Sequence, residues 1–175
     1  MKTQHKKQTP TETIRKWITE FLTQPHSVFG DMPPCPYAQK AIIDGRVEFV
    51  ELNATADWTT IYQLISNTDF DEKDVLCVIV DPRRFSLEEA ESIAETLNER
   101  YMPRDIVVLE DHPDMNSRVK DVKLNNGHYT LFLVQRLSKL NRLSRALEST
   151  NYYKNWSKGY LESVKGFRDR AETES

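Results

Sequence analysis

The sequence predicts an α/β fold with a mainly parallel central sheet, an added antiparallel hairpin and flanking helices. Three apolar runs typical of strands alternate with amphipathic stretches of helical period. Because parallel strands need crossover connections, this alternation indicates right-handed βαβαβ units. A later Asn-Gly pair, Asn126-Gly127, lies between two β-prone stretches and predicts the hairpin.

The totals indicate one domain. With 175 residues, 38% hydrophobic and 29% charged, the chain is long enough for a single sizeable core. We expect a domain over 11–170, with disordered ends at 1–10 and 171–175. No apolar run is long enough to span a bilayer, and the polar, basic start is unlike a secretory signal. The expected location is cytoplasmic.

The first part of the chain predicts two helices. The helix over 11–22 places its apolar residues on one stripe, and proline and glycine then predict a loop over 24–34. A short helix over 36–43 ends at Gly45, since glycine commonly terminates helices.

The sheet is predicted from strands over 46–52, 74–80 and 105–109. The second is apolar throughout, which favours a central position. Helices over 57–66 and 86–101 connect the three strands, and acidic residues in the first turn support the start of the second helix.

The last third predicts the hairpin and two helices. Strands over 119–124 and 128–135 flank the Asn-Gly turn, and helices follow over 136–149 and 153–168. Within the last helix, Tyr153, Trp156 and Tyr160 have helical spacing, which favours packing onto the core.

Cys35 is the strongest chemical signal. It opens Cys35-Pro36-Tyr37-Ala38, where proline suits a first helical turn and free N–H groups stabilise a thiolate. The segment resembles glutaredoxin-type and glutathione-transferase-type thiol sites, and the predicted alternation of strands and helices is itself thioredoxin-like in flavour. Ala38 occupies the position of the second cysteine of a dithiol site. Cys77 lies in an apolar strand and is expected to be a core residue.

Topology predicts where a site would form. Ligands of α/β sheets usually bind beyond the carboxyl ends of parallel strands, and the helix after Cys35 should begin near that edge. The residues expected there are Cys35, Asn53, Asp81, Arg83, Arg84, Asp111 and His112.

Within this set we assign the following roles. Cys35 would be the thiol, His112 its base and Asp111 or Asp114 the residue that orients the imidazole. Asn53, Asp81, Arg83 and Arg84 would bind a ligand, the two arginines anchoring an anion. The alternative is structural: a cysteine packed at a helix start, a histidine bonded to backbone, and arginines paired with Asp81, Glu88 or Glu89.

No cofactor is identified. The sequence lacks both Gly-rich phosphate loops and the local spacing of zinc sites. A metal held by Cys35, Asp81, Asp111 and His112 would have a mixed, widely spaced ligand set, so no metal is expected.

Charge is distributed unevenly along the chain. Residues 1–114 carry 12 Lys and Arg against 21 Asp and Glu, whereas residues 115–175 carry 12 against 6. This asymmetry is compatible with an anionic small molecule, a homo-oligomer or two faces that neutralise each other. The basic C-terminal helices could also contact single-stranded nucleic acid, a less favoured reading.

Three segments are similar to the DUF1415 family of uncharacterised bacterial proteins. They are Cys35-Pro36-Tyr37-Ala38 with the strand that follows, the strand that ends in Asp81-Pro82, and the strand that runs into His112-Pro113. The resemblance covers about residues 30–115, with Asp81 where the family has histidine. The resemblance implies no activity. Its three segments contain Cys35, Asp81 and His112, which are also among the residues expected at the sheet edge.

The sequence therefore predicts a thiol-dependent redox or small-molecule site at the carboxyl edge of the sheet. The alternatives are a non-catalytic interaction or assembly protein and, less favoured, a nucleic-acid accessory protein.

Overall fold

Helices cover both faces of a four-stranded sheet in the computed structural model, which describes residues 8–173. Residues 1–7 of the expected disordered start and residues 174–175 of the expected tail lie outside the described residues. The helices are α1 (Pro10–Trp17), α2 (Ala38–Ile43), α3 (Trp58–Asn67), α4 (Leu87–Tyr101), α5 (Leu137–Glu148), α6 (Lys158–Leu161) and α7 (Phe167–Thr173). The strands are β1 (Val47–Glu51), β2 (Val75–Val80), β3 (Ile106–Asp111), β4 (Arg118–Val119), β5 (Val122–Lys123) and β6 (Thr130–Arg136).

The α/β class is confirmed, but the prediction of a mainly parallel sheet is wrong. The order is β1-β2-β6-β3, with β1 and β2 parallel and β6 antiparallel to both of its neighbours. The sheet is therefore mixed, with one parallel pair. β6 fills the gap between β2 and β3, where it can bond to a strand on each side.

The predicted hairpin does not form. The two-residue strands β4 and β5 pair with each other as a separate ribbon, and β6 joins the main sheet instead. The reason lies in the Asn-Gly segment: Asn125 and Asn126 are both buried and bond to the chain around the end of β3. An exposed two-residue turn would leave those side chains in water.

Local sequence explains the helix starts. Thr9 and Glu12 form a capping box that begins α1, and Ser86 and Glu89 form one for α4. Asp57 accepts from the first turn of α3. After α1, the chain continues as a π-helix over Ile18–Leu22, so the predicted helix over 11–22 is present with a wider last turn.

Strand alternation divides the core into two layers. Leu76, Val78, Phe132 and Val134 face α3 and α4, whereas Cys77, Ile79 and Leu131 face α1 and α2. The first layer is densely buried. The second face is covered by α1, α2 and α5, and a cavity remains beneath them.

A third apolar cluster joins the loop around Phe29 to the C-terminal third of the chain. It contains Phe29 and Tyr152, whose ring centroids are 5.7 Å apart, together with Tyr153, Trp156 and Tyr160. The predicted packing of the aromatic stripe onto the core is thus confirmed, although 151–157 forms turns before α6 begins. Gly30, at φ +64°, lies against Asn151, where a Cβ would come within 2.9 Å of a backbone carbon.

Candidate functional site

A half-open pocket of about 1340 Å³ lies along the second face of the sheet and reaches α4 on the first face; it is here called the central cavity. Most of its wall is apolar and comes from the end of α1, from α2, from β3 and β6, from α5 and from the C-terminal helices. Its apolar lining includes Trp17, Ile18, Ile42, Leu109, Leu131, Leu133, Leu140, Leu143, Trp156 and Phe167. The uncharged polar residues of its walls include Cys35, Ser117 and Ser144. Its walls also contain charged residues of both signs, namely Asp74, Glu91, Glu95, Glu99, Glu110, Asp111, Glu162, Arg136, Lys139, Lys165, Arg168 and Arg170.

Cys35 lies in the cavity wall because the loop that carries it is tied down from both sides. Its backbone N–H donates to Leu22 O at 2.9 Å, and the hydroxyl of Tyr152 donates to Pro34 O. The hydroxyl of Tyr37 donates to Leu143 O at 3.1 Å, which joins this loop to α5. The predicted position of Cys35 just before a short helix is thus observed, since α2 begins at Ala38.

The environment of Cys35 does not favour the thiolate. Burial raises the pKa of the Cys35 thiol, and the N–H groups of Tyr37 and Ala38 offset this only in part. Cys77 lies deeper: burial, with the nearby charge of Asp111, raises its pKa to about 12. Helix-start N–H groups are present as the motif predicted, but desolvation outweighs them.

We therefore expect both cysteines to alkylate slowly in the folded protein. A pH series of iodoacetamide labelling, followed by peptide mass spectrometry, should give Cys35 an apparent pKa above the usual thiol value of about 8.5. Cys77 should label only after unfolding in urea. Labelling of Cys35 with an apparent pKa below that of a free thiol would instead support the activated thiol that the sequence predicts.

Asp111 is a buried acidic residue in the wall of the central cavity. It is 8% exposed at the end of β3, and Asn126 donates to its Oδ2 from the backbone N–H at 3.0 Å and from Nδ2 at 2.7 Å. Burial raises the pKa of Asp111 even though these two donors lower it. The carboxyl group is thus poised to hold a proton at a pH where an exposed aspartate would be ionised.

His112 is buried and fully engaged. Its Nδ1 accepts from the N–H of Asp114 at 3.1 Å, so the proton is on Nε2, which donates to Phe85 O at 3.2 Å. Neither nitrogen is left for a thiol. The thiol–imidazole pair stays a prediction that would require the ring to leave both partners.

The other predicted ligand-binding residues lie outside the cavity wall and bond locally. Asn53 accepts from Thr55, and Arg83 forms an exposed ion pair with Asp81 at 2.7 Å. Arg84 donates to Ala56 O at 2.9 Å and covers the ring of Phe85. They follow the carboxyl ends of β1 and β2, as predicted, but the structure brings only Cys35 and Asp111 of the predicted set into one cavity.

Metal binding finds no support among residues 8–173, where no three His, Cys, Asp or Glu side chains are close enough to share an ion.

Ion pairs neutralise part of the basic C-terminal region. Arg136 pairs with Asp71, Lys139 with Asp74, and Arg145 with Glu172. The first two pairs join the basic region to acidic residues of the first part of the chain, and the third lies within the basic region. These pairs occupy some of the cations that a nucleic-acid interface would use.

Three residues in or next to the central cavity have structural roles that the sequence did not reveal. Asn126 bonds Asp111, Trp156 lies in the cavity wall, and Arg168 is buried behind α5. The Asn-Asn-Gly segment read as an exposed turn. No sequence signal marked Arg168, because a lone arginine in a charged helix normally faces water.

Comparisons with known proteins do not assign a family. No family model, no curated protein and no solved structure matches the chain. Within residues 8–173, the helices are too short or too polar to cross a membrane.

Proposed function

We propose that this protein binds a small, mainly apolar molecule in the central cavity. The observation that carries the proposal is the cavity itself: about 1340 Å³, with a surface that is mainly apolar and a set of charged and polar groups at its walls. Ligand sites of proteins are likewise mainly apolar with a few polar groups, and at roughly 300–1,000 Å³ they are usually smaller than this one. The proposal concerns binding rather than a reaction.

The energetics favour an apolar occupant. Each Å² of apolar surface that a ligand removes from water contributes roughly 25 cal/mol, so even a ten-carbon chain gains several kcal/mol from such a wall. Leu133 and Leu140 lie on opposite walls, on β6 and α5, and both are only partly buried by the protein. A ligand between them would complete the packing of that face.

The thiol-dependent redox function is less well supported. It needs a thiolate, and burial raises the pKa of both cysteines. Cys35 is better explained as part of the wall that an apolar ligand would contact.

Filling the cavity with side chains should abolish binding. The probe is N-phenyl-1-naphthylamine, an uncharged dye that fluoresces in apolar surroundings, titrated into the intact protein. We expect saturable binding to the unchanged protein and at least tenfold weaker binding to a variant with Leu133→Phe and Leu140→Phe. The matched control is Ile43→Phe, because Ile43 is 74% exposed and lies outside the cavity wall.

Circular dichroism and thermal unfolding must show that the filled variant is folded, since overpacking can cost about 1–3 kcal/mol. If it is not, Leu140→Phe alone replaces it. The proposal is overturned if the unchanged protein fails to bind the dye saturably, or if filled and control variants bind equally.

A further inference from the structure

Arg168 is a buried cation without a carboxylate partner. It lies in α7 against α5 and is 3% exposed. Arginine is almost never this buried unless it is paired. It also belongs to the wall of the central cavity.

Every acceptor that Arg168 uses is neutral. Its Nε donates to Val164 O at 2.8 Å, one terminal nitrogen to Asn141 Oδ1 at 3.1 Å and the other to Ser144 Oγ at 3.4 Å. A guanidinium has five N–H donors, so these bonds leave two N–H groups over. Burial accordingly lowers the pKa of Arg168.

The neighbouring carboxylates bond to other groups. Asp169 bonds Lys165 through Oδ2, while its Oδ1 is buried without a hydrogen-bond partner among the described residues. Glu172 pairs with Arg145 and accepts from Asn141. No carboxylate among residues 8–173 lies within 4.0 Å of the Arg168 guanidinium, although the charge of Asp169 acts on it at longer range. The site thus contains a desolvated positive charge that the protein does not neutralise by direct contact.

A second donor without a partner lies in the wall of the same cavity. The Nε1 of Trp156 is buried and has no hydrogen-bond acceptor among the described residues. The ring of Tyr153 lies beside that of Trp156, with centroids 5.2 Å apart. Unmatched buried donors are costly, and an acceptor-rich ligand in this cavity would supply acceptors to its wall.

We propose that the ligand of the central cavity carries an anionic head group, a carboxylate or a phosphate monoester, which Arg168 binds while the apolar part lies along the sheet. This inference rests on the proposed binding function and adds the chemical class of its ligand. Planar guanidinium groups suit both head groups, because two parallel N–H donors match two oxygens.

Three probes that share one ten-carbon chain test the inference: 1-decanol, decanoate and decyl phosphate. Each is titrated below its micelle concentration against the intact Trp58→Phe protein, which leaves tryptophans only at Trp17 and Trp156, both in the cavity wall. We expect at least tenfold tighter binding of one or both anions than of decanol, with the two anionic arms distinguishing carboxylate from phosphate.

Variants then assign the preference to Arg168. Arg168→Leu should reduce anion binding to the level of decanol and leave decanol binding unchanged. Arg168→Lys keeps the charge and should retain part of the preference. The control is Arg142→Gln, which removes an exposed arginine of α5 that lies outside the cavity wall.

The outcomes separate the two proposals. Equal binding of decanol and both anions by the Trp58→Phe protein overturns the anionic head group but leaves the apolar site standing. An anion preference that survives in folded Arg168→Leu overturns the role of Arg168. Absence of binding by all three probes overturns both. If Arg168→Leu is unfolded, the decision rests on the decanol comparison and on Arg168→Lys, for which an undiminished preference counts against a guanidinium contact.

Discussion

Replacing Phe132 with alanine is expected to lower the free energy of unfolding by about 3–5 kcal/mol, the usual range for a fully buried phenylalanine. Phe132 is 0% exposed in the middle of β6, opposite Val78 on one side and Glu110 on the other. Its ring also meets that of Phe85 edge to face, with centroids 6.3 Å apart. Its loss would leave a cavity at the centre of the main core.

Phe49→Ala is the matched control for this prediction. Phe49 lies on the outer strand β1, is partly exposed and packs under the guanidinium of Arg15 at 4.3 Å. Its removal should cost clearly less, on the order of 1–2 kcal/mol. Urea unfolding followed by circular dichroism measures both. If Phe132→Ala and Phe49→Ala lower the free energy of unfolding by similar amounts, the central position of β6 is contradicted and the predicted hairpin is favoured.

Replacing Asn126 with alanine is expected to destabilise the protein by about 2–4 kcal/mol, since buried polar groups lose their partners. Asn126 donates twice to Asp111, donates to Tyr129 O at 2.8 Å, and accepts from the N–H groups of His128 and Tyr129. Alanine keeps the backbone donor to Asp111 and removes every side-chain bond. Gly127→Ala is the control for the turn, because there a Cβ would meet nothing and only the positive φ is strained.

The pH dependence of the Asp111→Asn variant tests the same cluster. The pKa of Asp111 is higher in the folded state than in the unfolded state, so the carboxyl group contributes most to stability below its unfolded value. That contribution is lost as pH rises through the folded value. The melting temperature of Asp111→Asn relative to the unchanged protein should therefore increase between pH 4 and pH 7.5. A constant difference would mean that Asp111 titrates normally.

Most individual elements could be predicted from the sequence because their causes are local. Capping residues begin α1 and α4, and the apolar run of β2 is buried over all but its first residue. The three forward strands run in one direction, so their carboxyl ends share an edge as predicted. The predicted pairing of β6 was wrong, because β6 pairs with β2 and β3 and not with a hairpin partner. An edge strand and a central strand can have the same local propensity and differ only in the strands that they pair with.

The candidate site was less predictable, for a physical reason. Cys35 carries a thiol motif that can be read locally, and its helix-start N–H groups are present. Its pKa, however, depends on burial by Tyr152 and other residues more than a hundred positions away. His112 is occupied by one local partner, the N–H of Asp114, and by Phe85 O from another part of the chain, and the second contact could not be read from local sequence.

Local chemistry in the chain was thus enough to specify the α/β class, the approximate positions of α1 to α5, the packing of the C-terminal aromatic residues and the position of Cys35 beside a short helix. The predicted helix over 153–168 was wrong at its start, because helix begins only at Lys158. Tertiary structure alone decided that β6 lies inside the sheet, that a half-open pocket lies along the second face, and that Asp111 and Arg168 are desolvated. Desolvation and strand pairing are set by residues distant in sequence, and they determine whether a charged or nucleophilic group is a solvated surface residue or part of a site.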